Sequence, residues 1–154
     1  MELTNLGTAL KFAATLETLG QETFEKEAQS TTQSDLKDLF LSFSNRSKKR
    51  KGMLEALYKE SVYSDQDTGI FEPIAGLTST DYLIPTTGKD EKPLGNLTRA
   101  MEMEEKARQF YIDFAAVMKS RRRALSKKFE DMANENSTRK QKLISLQSLR
   151  VERG

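Results

Sequence analysis

The sequence predicts an all-α fold, a four-helix bundle with one long crossover between its second and third helices. Three observations point there. All three prolines (Pro73, Pro85, Pro93) and four of the eight glycines (Gly69, Gly76, Gly88, Gly95) fall between residues 69 and 95, which leaves long flanks almost free of helix breakers. Each flank carries apolar residues stepping by three and four, the period of a helix with one buried face. Each flank is also interrupted once, near its middle, so each reads as two helices joined by a short turn.

Taken in order, Leu6, Leu10, Ala13, Leu16, Gly20, Phe24 and Ala28 form one stripe of a helix over about 5–29. The polar run Ser30-Thr31-Thr32-Gln33-Ser34 breaks it, and Ser34 or a neighbouring Thr is a candidate N-cap for the next helix. The second helix, about 34–62, has the stripe Leu36, Leu39/Phe40, Phe43, Leu54, Leu57. A crossover occupies 63–92. Helices of ~28 residues are ~42 Å long, so a chain returning to the opposite end needs at least a dozen extended residues. Phe71, Ile74, Leu77, Tyr82, Leu83 and Ile84 give this connection apolar groups with which to pack, and a short strand or helical turn is compatible with it. Pro93 suits a first helical turn, with Asn96 as an alternative cap. The third helix, about 94–119, comes next with Leu97, Ala100, Ala107, Tyr111, Phe114 and Met118. The phase resets near Lys119-Ser120-Arg121, and Leu125, Phe129, Met132, Leu143 and Leu146 mark a fourth helix over about 122–150.

Composition bounds the chemistry. The 154 residues are 36% hydrophobic and 31% charged, with 25 basic and 23 acidic side chains for a formal charge of +2. That is the make-up of one globular domain large enough to close a core without staples. Cys and His are both absent, which removes disulfides, thiolate and Ser-His or Cys-His catalysis, and every imidazole-ligated metal. No apolar run reaches the length of a membrane span, and no apolar segment behind a basic start reads as a signal peptide, so cytoplasm is the expected compartment. Phosphate-binding glycine loops, nucleophile elbows and dinucleotide fingerprints are missing too, and no small-molecule substrate is indicated.

The two flanks repeat each other. An offset of 87 aligns Leu10 with Leu97, Ala13 with Ala100, Glu17 with Glu104, Gly20 with Ala107 and Phe24 with Tyr111; an offset of 89 aligns Leu36 with Leu125, Phe40 with Phe129, Arg50 with Arg139 and Leu54 with Leu143. Shared apolar positions come cheaply between amphipathic helices. Shared charges inside the stripe do not. Glu17 lies between Ala13 and Gly20, and Glu104 between Ala100 and Ala107, both on the inward face; Ser47 and Arg50 continue the second stripe as Asn136 and Arg139 continue the fourth. Every helix thus directs one long charged side chain inward near mid-height.

These residues resemble the rubrerythrin branch of the ferritin-like superfamily, over essentially the whole chain except the crossover. In that family the first and third helices carry a glutamate followed seven residues later by Tyr or Phe, matched by Glu17 with Phe24 and by Glu104 with Tyr111. Its second and fourth helices carry Glu-x-x-His, and together the carboxylates and imidazoles hold two iron atoms. Here those motifs read Ser47-Lys48-Lys49-Arg50 and Asn136-Ser137-Thr138-Arg139. Two of six ligands survive. A guanidinium stays protonated, has no lone pair to donate and repels a cation, so the expectation is no cofactor where the family would use iron. In its place two internal Glu–Arg pairs are expected, among Glu17, Glu104, Arg50 and Arg139, with a formal charge of zero, and with Ser47 and Asn136 supplying further hydrogen bonds. The alternative is that both arginines reach along the stripe edge to solvent.

What the resemblance implies is a ferritin-like protein that has lost di-iron binding and serves as a structural or interaction protein, as a homodimer by family analogy. One competing reading is a di-metal oxidase or peroxidase with an atypical carboxylate site. Another is an anion- or nucleic-acid-binding bundle using two basic clusters: Arg46, Lys48, Lys49 and Lys51 around Arg50, and Arg121, Arg122 and Arg123 with Lys127 and Lys128. The small net charge and the lack of aromatics among these cations favour plain solvated helix faces. Glu102 and Glu105 point away from Glu104 on a helix and are expected at the surface.

Overall fold

A computed structural model describes residues 2–62, 73–84, 93–120 and 122–153. Its elements are a strand β1 (Glu2–Asn5), helices α1 (Leu6–Ser30) and α2 (Ser34–Val62), a strand β2 (Pro73–Thr78), a 3-10 turn (Ser79–Tyr82), and helices α3 (Pro93–Met118) and α4 (Arg123–Arg153). The chain is all-α in its bulk, with four long helices among the described residues. It divides into two compact units, Met1–Ser79 and Thr80–Gly154, each built around one helical hairpin. No helix among the described residues is long and apolar enough to cross a membrane.

In the first unit, α1 starts where a capping box closes its free N–H groups. The Asn5 side chain accepts from the Thr8 backbone N–H at 2.9 Å, and Thr8 Oγ1 accepts from the Asn5 N–H at 3.4 Å. Leu6, Leu10, Ala13, Phe24 and Ala28 are buried as one face. At Thr31–Gln33 the chain turns, its first N–H still bonding back to Glu27. Ser34 is the first residue of α2 rather than its cap, and Asp35 supplies the negative charge that the positive end of a helix favours. Phe24 packs edge-on to Phe43 with centroids 5.1 Å apart and stacks at 6.2 Å on Phe40. Gly20 faces α2 at the height of Ser47, where a Cβ would stand 3.3 Å from the Ser47 hydroxyl oxygen; a larger residue would push the helices apart there.

Gly52 is different. It lies exposed in the interior of α2 with nothing within 4 Å of where a Cβ would sit. Alanine loses less backbone entropy in a helix, by about 1 kcal/mol. Gly52→Ala is therefore expected to raise the thermal midpoint by roughly 2–4 °C; an unchanged or lower midpoint in a calorimetric scan would mean that the helix is not continuous through this position.

The N-terminal strand is the element that periodicity did not foresee, because four residues are too few to show alternation. β1 pairs antiparallel with β2, Leu3 opposite Leu77 and Glu2 opposite Thr78, with an irregularity between Leu3 and Asn5. Leu3 and Leu77 are both buried, so the pair is held by a shared apolar side as well as by the ladder. β2 and the 3-10 turn lie in the connection between α2 and α3, where a short strand or helical turn was compatible with the sequence; Phe71 lies outside the described residues.

In the second unit, Pro93 is the first residue of α3, where its missing N–H costs nothing; Asn96 falls inside the helix and is not its cap. Tyr82 is buried, meets Phe110 edge-on at 5.2 Å and donates from its hydroxyl to Asp113 at 2.6 Å. Burial, with the negative charge of Asp113 beside it, pushes the phenol well above its ordinary range. Phe110, Tyr111, Phe114 and Phe129 form a continuous aromatic core, with Phe114 and Phe129 stacked at 4.3 Å. Ser126, not its neighbour Leu125, is the buried residue at the start of α4, and its hydroxyl donates to the Ala115 carbonyl at 2.7 Å.

Candidate functional site

The inward face of each helix carries a charge at mid-height because the stripe makes room for it. On α1 and α3 the residues one turn before and after the glutamate are small, Ala13 and Gly20 around Glu17 and Ala100 and Ala107 around Glu104. A small residue on either side leaves volume for a guanidinium arriving from the neighbouring helix. Glu17 is 3% exposed, Arg50 6%, Glu104 4% and Arg139 2%, and Ser47 and Asn136 are buried as well. All six positions drawn from the motif comparison are therefore interior.

Each hairpin makes its own pair. In the first unit Arg50 Nη1 lies 3.6 Å from Glu17 Oε2; in the second, Arg139 Nη1 lies 3.6 Å from Glu104 Oε1. The equal distances extend the sequence repeat into geometry. Each pair is neutral within its own hairpin, and this makes burial of the charges tolerable. In the second unit Asn136 Nδ2 donates to Glu104 Oε2 at 2.5 Å, so the amide, one turn before the arginine, fixes the carboxylate that the arginine neutralises.

Sequence reasoning passed over two contacts. Glu135 lies 3.4 Å from Arg139 Nη2, a contact foreshadowed by its i, i+4 spacing. Glu105 and Lys140, each one residue beyond a member of the buried pair, form a second bridge at 3.0 Å between α3 and α4. Glu105 also accepts from Arg108, Nε to Oε2 at 3.0 Å. It is thus half-buried and paired rather than a simple surface charge; Glu102 is exposed as expected. The Arg108 hydrogen bonds lead in holding the Glu105 carboxyl down at about 2, against desolvation, with Lys140 adding to them.

A depressed carboxyl pKa contributes stability above the unfolded value and loses it as the pH falls. Here the window runs from 4.5 down to about 2. Glu105→Gln is expected to flatten the fall in urea midpoint across that window, while the wild type keeps the steeper slope. Equal slopes would show that the bridge does not hold in solution. At 35% side-chain exposure the effect is partly screened by water.

The basic clusters lie differently. Arg46, Lys48 and Lys49 are exposed on α2 and Lys51 is half-buried. Arg123, Lys127 and Lys128 are exposed at the start of α4, Arg122 just before it is half-buried, and Lys127 bonds to Asp131 at 2.9 Å. Arg121 lies outside the described residues.

The donor set does not fit a di-iron group. Within each hairpin a single buried glutamate with a guanidinium 3.6 Å away offers neither the nitrogen ligands nor the negative charge that such a centre needs. Among the described residues no three His, Cys, Asp or Glu side chains come together in a way that could hold a metal ion. Compared with protein-family models, with curated proteins and with solved structures, the chain matches none.

Proposed function

We propose that this chain is a ferritin-like, rubrerythrin-type bundle with one crossover in which internal ion pairs have taken the place of di-iron ligands, and that it works as a structural or interaction protein without redox chemistry. The observation that carries this reading is the Glu–Arg pair inside each hairpin, with arginine at the position where the family's motif has histidine. A fixed guanidinium neutralises the carboxylate permanently, as a metal ion would, but offers no exchangeable coordination position. The family frame also implies a homodimer.

Two measurements test it. Protein purified without chelator and equilibrated anaerobically with ferrous iron is expected to retain iron well below one atom per chain. Stoichiometric iron or manganese would instead favour the competing reading, a metal oxidase or peroxidase built on carboxylates. The ferritin-like frame is tested separately by Ser47→Glu/Arg50→His/Asn136→Glu/Arg139→His, which rebuilds the family's ligand set. If the frame is right, this folded variant takes up iron stoichiometrically; a folded variant that takes up none overturns the frame.

A further inference from the structure

The two hairpin turns carry opposite charge. Around the α1–α2 turn, residues 22–38 hold five acids (Glu22, Glu25, Glu27, Asp35, Asp38) against two bases. Around the α3–α4 turn there is no acidic residue between Asp113 and Glu130, and six cations fall in that interval. Glu22, Glu25, Asp35 and Asp38 are exposed on the first turn, and Lys119, Arg123, Lys127 and Lys128 on the second.

Helix stability does not account for this distribution. A helix favours acids at its N-terminal end and bases at its C-terminal end. Asp35 and Lys119 obey that preference. Glu25 and Glu27 sit near the C-terminal end of α1, whose last turn holds no base, and Arg123 opens α4, whose first turn holds no acid. Glu25, Glu27 and Arg123 thus stand against the local field, each beside further charges of its own sign. Charges placed where they weaken their own helix point to an external role.

We propose that these turns dock on each other between copies of this chain, the basic α3–α4 turn of one copy against the acidic α1–α2 turn of another. Charge complementarity selects a second copy, since the same polypeptide presents both signs on turns of the same kind. Among the described residues the large exposed apolar side chains, Leu19, Leu41, Val62, Leu83, Ile112 and Leu149, lie outside residues 22–38 and 119–128. The contact is therefore polar, weak and strongly dependent on salt. Two such contacts made reciprocally close a dimer; contacts made in one direction extend a series. This inference does not depend on the ferritin-like frame.

Sedimentation velocity on the full chain tests it. At roughly 0.01 M salt, where charges are felt over about 30 Å, the wild type is expected to assemble, and in roughly 1 M salt, where screening shortens that reach to about 3 Å, to return to monomer. Reversing the basic turn (Arg123→Glu/Lys127→Glu/Lys128→Glu) or the acidic turn (Glu22→Lys/Glu25→Lys/Asp35→Lys) is expected to leave each variant monomeric in low salt. Mixing the two variants should restore assembly, since each keeps the turn that the other needs. Circular dichroism melts establish that both variants are folded. Wild type that is monomeric in low salt, assembly that survives high salt, or a mixture of folded variants that stays dissociated overturns the proposal. So does a monomer whose basic turn instead retards a short DNA duplex.

Discussion

Glu104→Gln is expected to destabilise the protein by about 3–5 kcal/mol, because it leaves the Arg139 guanidinium buried beside a neutral amide. The loss is specific to charge. The new side chain keeps an oxygen able to accept from Asn136, which bonds to Glu104 in the wild type, so hydrogen bonding is largely conserved while the buried negative charge facing a group only 2% exposed is removed. Glu135 remains 3.4 Å from Arg139, but with 36% of its side chain exposed its charge is well screened by water. The second arm of the experiment is Glu104→Gln/Arg139→Met, which removes both charges and keeps an apolar stem in the space. This double variant is expected to be more stable than Glu104→Gln alone, since a buried pair adds little over an apolar filling while a broken one is costly. Urea unfolding of the two variants and of Arg139→Met measures the coupling. A Glu104→Gln transition within a few tenths of a kcal/mol of wild type would place these charges in water. Against a typical total of about 5–15 kcal/mol, the expected loss is large enough to leave the single variant marginal.

Phe129→Ala should cost about as much, roughly 3–5 kcal/mol, through a different mechanism. Phe129 is 0% exposed, stacked on Phe114 at 4.3 Å and on Tyr111 at 5.9 Å. Truncation removes the transfer energy of a ring and leaves a cavity between two large rigid neighbours on α3 that cannot easily collapse into it. Phe129→Leu, which keeps most of the volume, should lose less than half as much. Thermal melts at matched pH compare the two, and an Ala variant as stable as the Leu variant would mean that the ring is not in the core.

The difference between the two experiments bears on function. An aromatic ladder is ordinary core, and any bundle can be built on one. A pair of charged side chains repeated at the same distance in two hairpins is not needed for stability, because an apolar pair would serve as well. Retention of such a pair can favour one helix register over others.

Much of this was readable from residue order. The ends of the helices could be placed from where breakers and polar runs fall: expected limits of about 34 and 62 for the second helix agree with Ser34–Val62, and those of about 94 and 119 for the third lie within a residue or so of Pro93–Met118. Burial of the six motif positions could be anticipated from their places in stripes at 3.6-residue period. Capping was less legible. Ser34 and Asn96 are of favoured cap type, yet both lie within helices, since a cap depends on where the chain enters the helix axis as well as on residue type. The Leu3–Leu77 pairing was invisible because its partners lie 74 positions apart in short segments without alternation of their own.

Sequence by itself determined that this protein is helical, that it lacks the ligands for imidazole- or thiolate-based chemistry, and that its helices turn charged side chains inward; these depend on local period and on which atoms exist. Only the tertiary structure decided which glutamate meets which arginine, Glu17 with Arg50 and Glu104 with Arg139, and that Lys140 reaches Glu105. The physical reason is that periodicity specifies the face a residue occupies on its own helix. The partner across the hairpin is set by the relative height and rotation of two helices, and those are settled by how Phe24, Phe43, Phe114 and Phe129 pack.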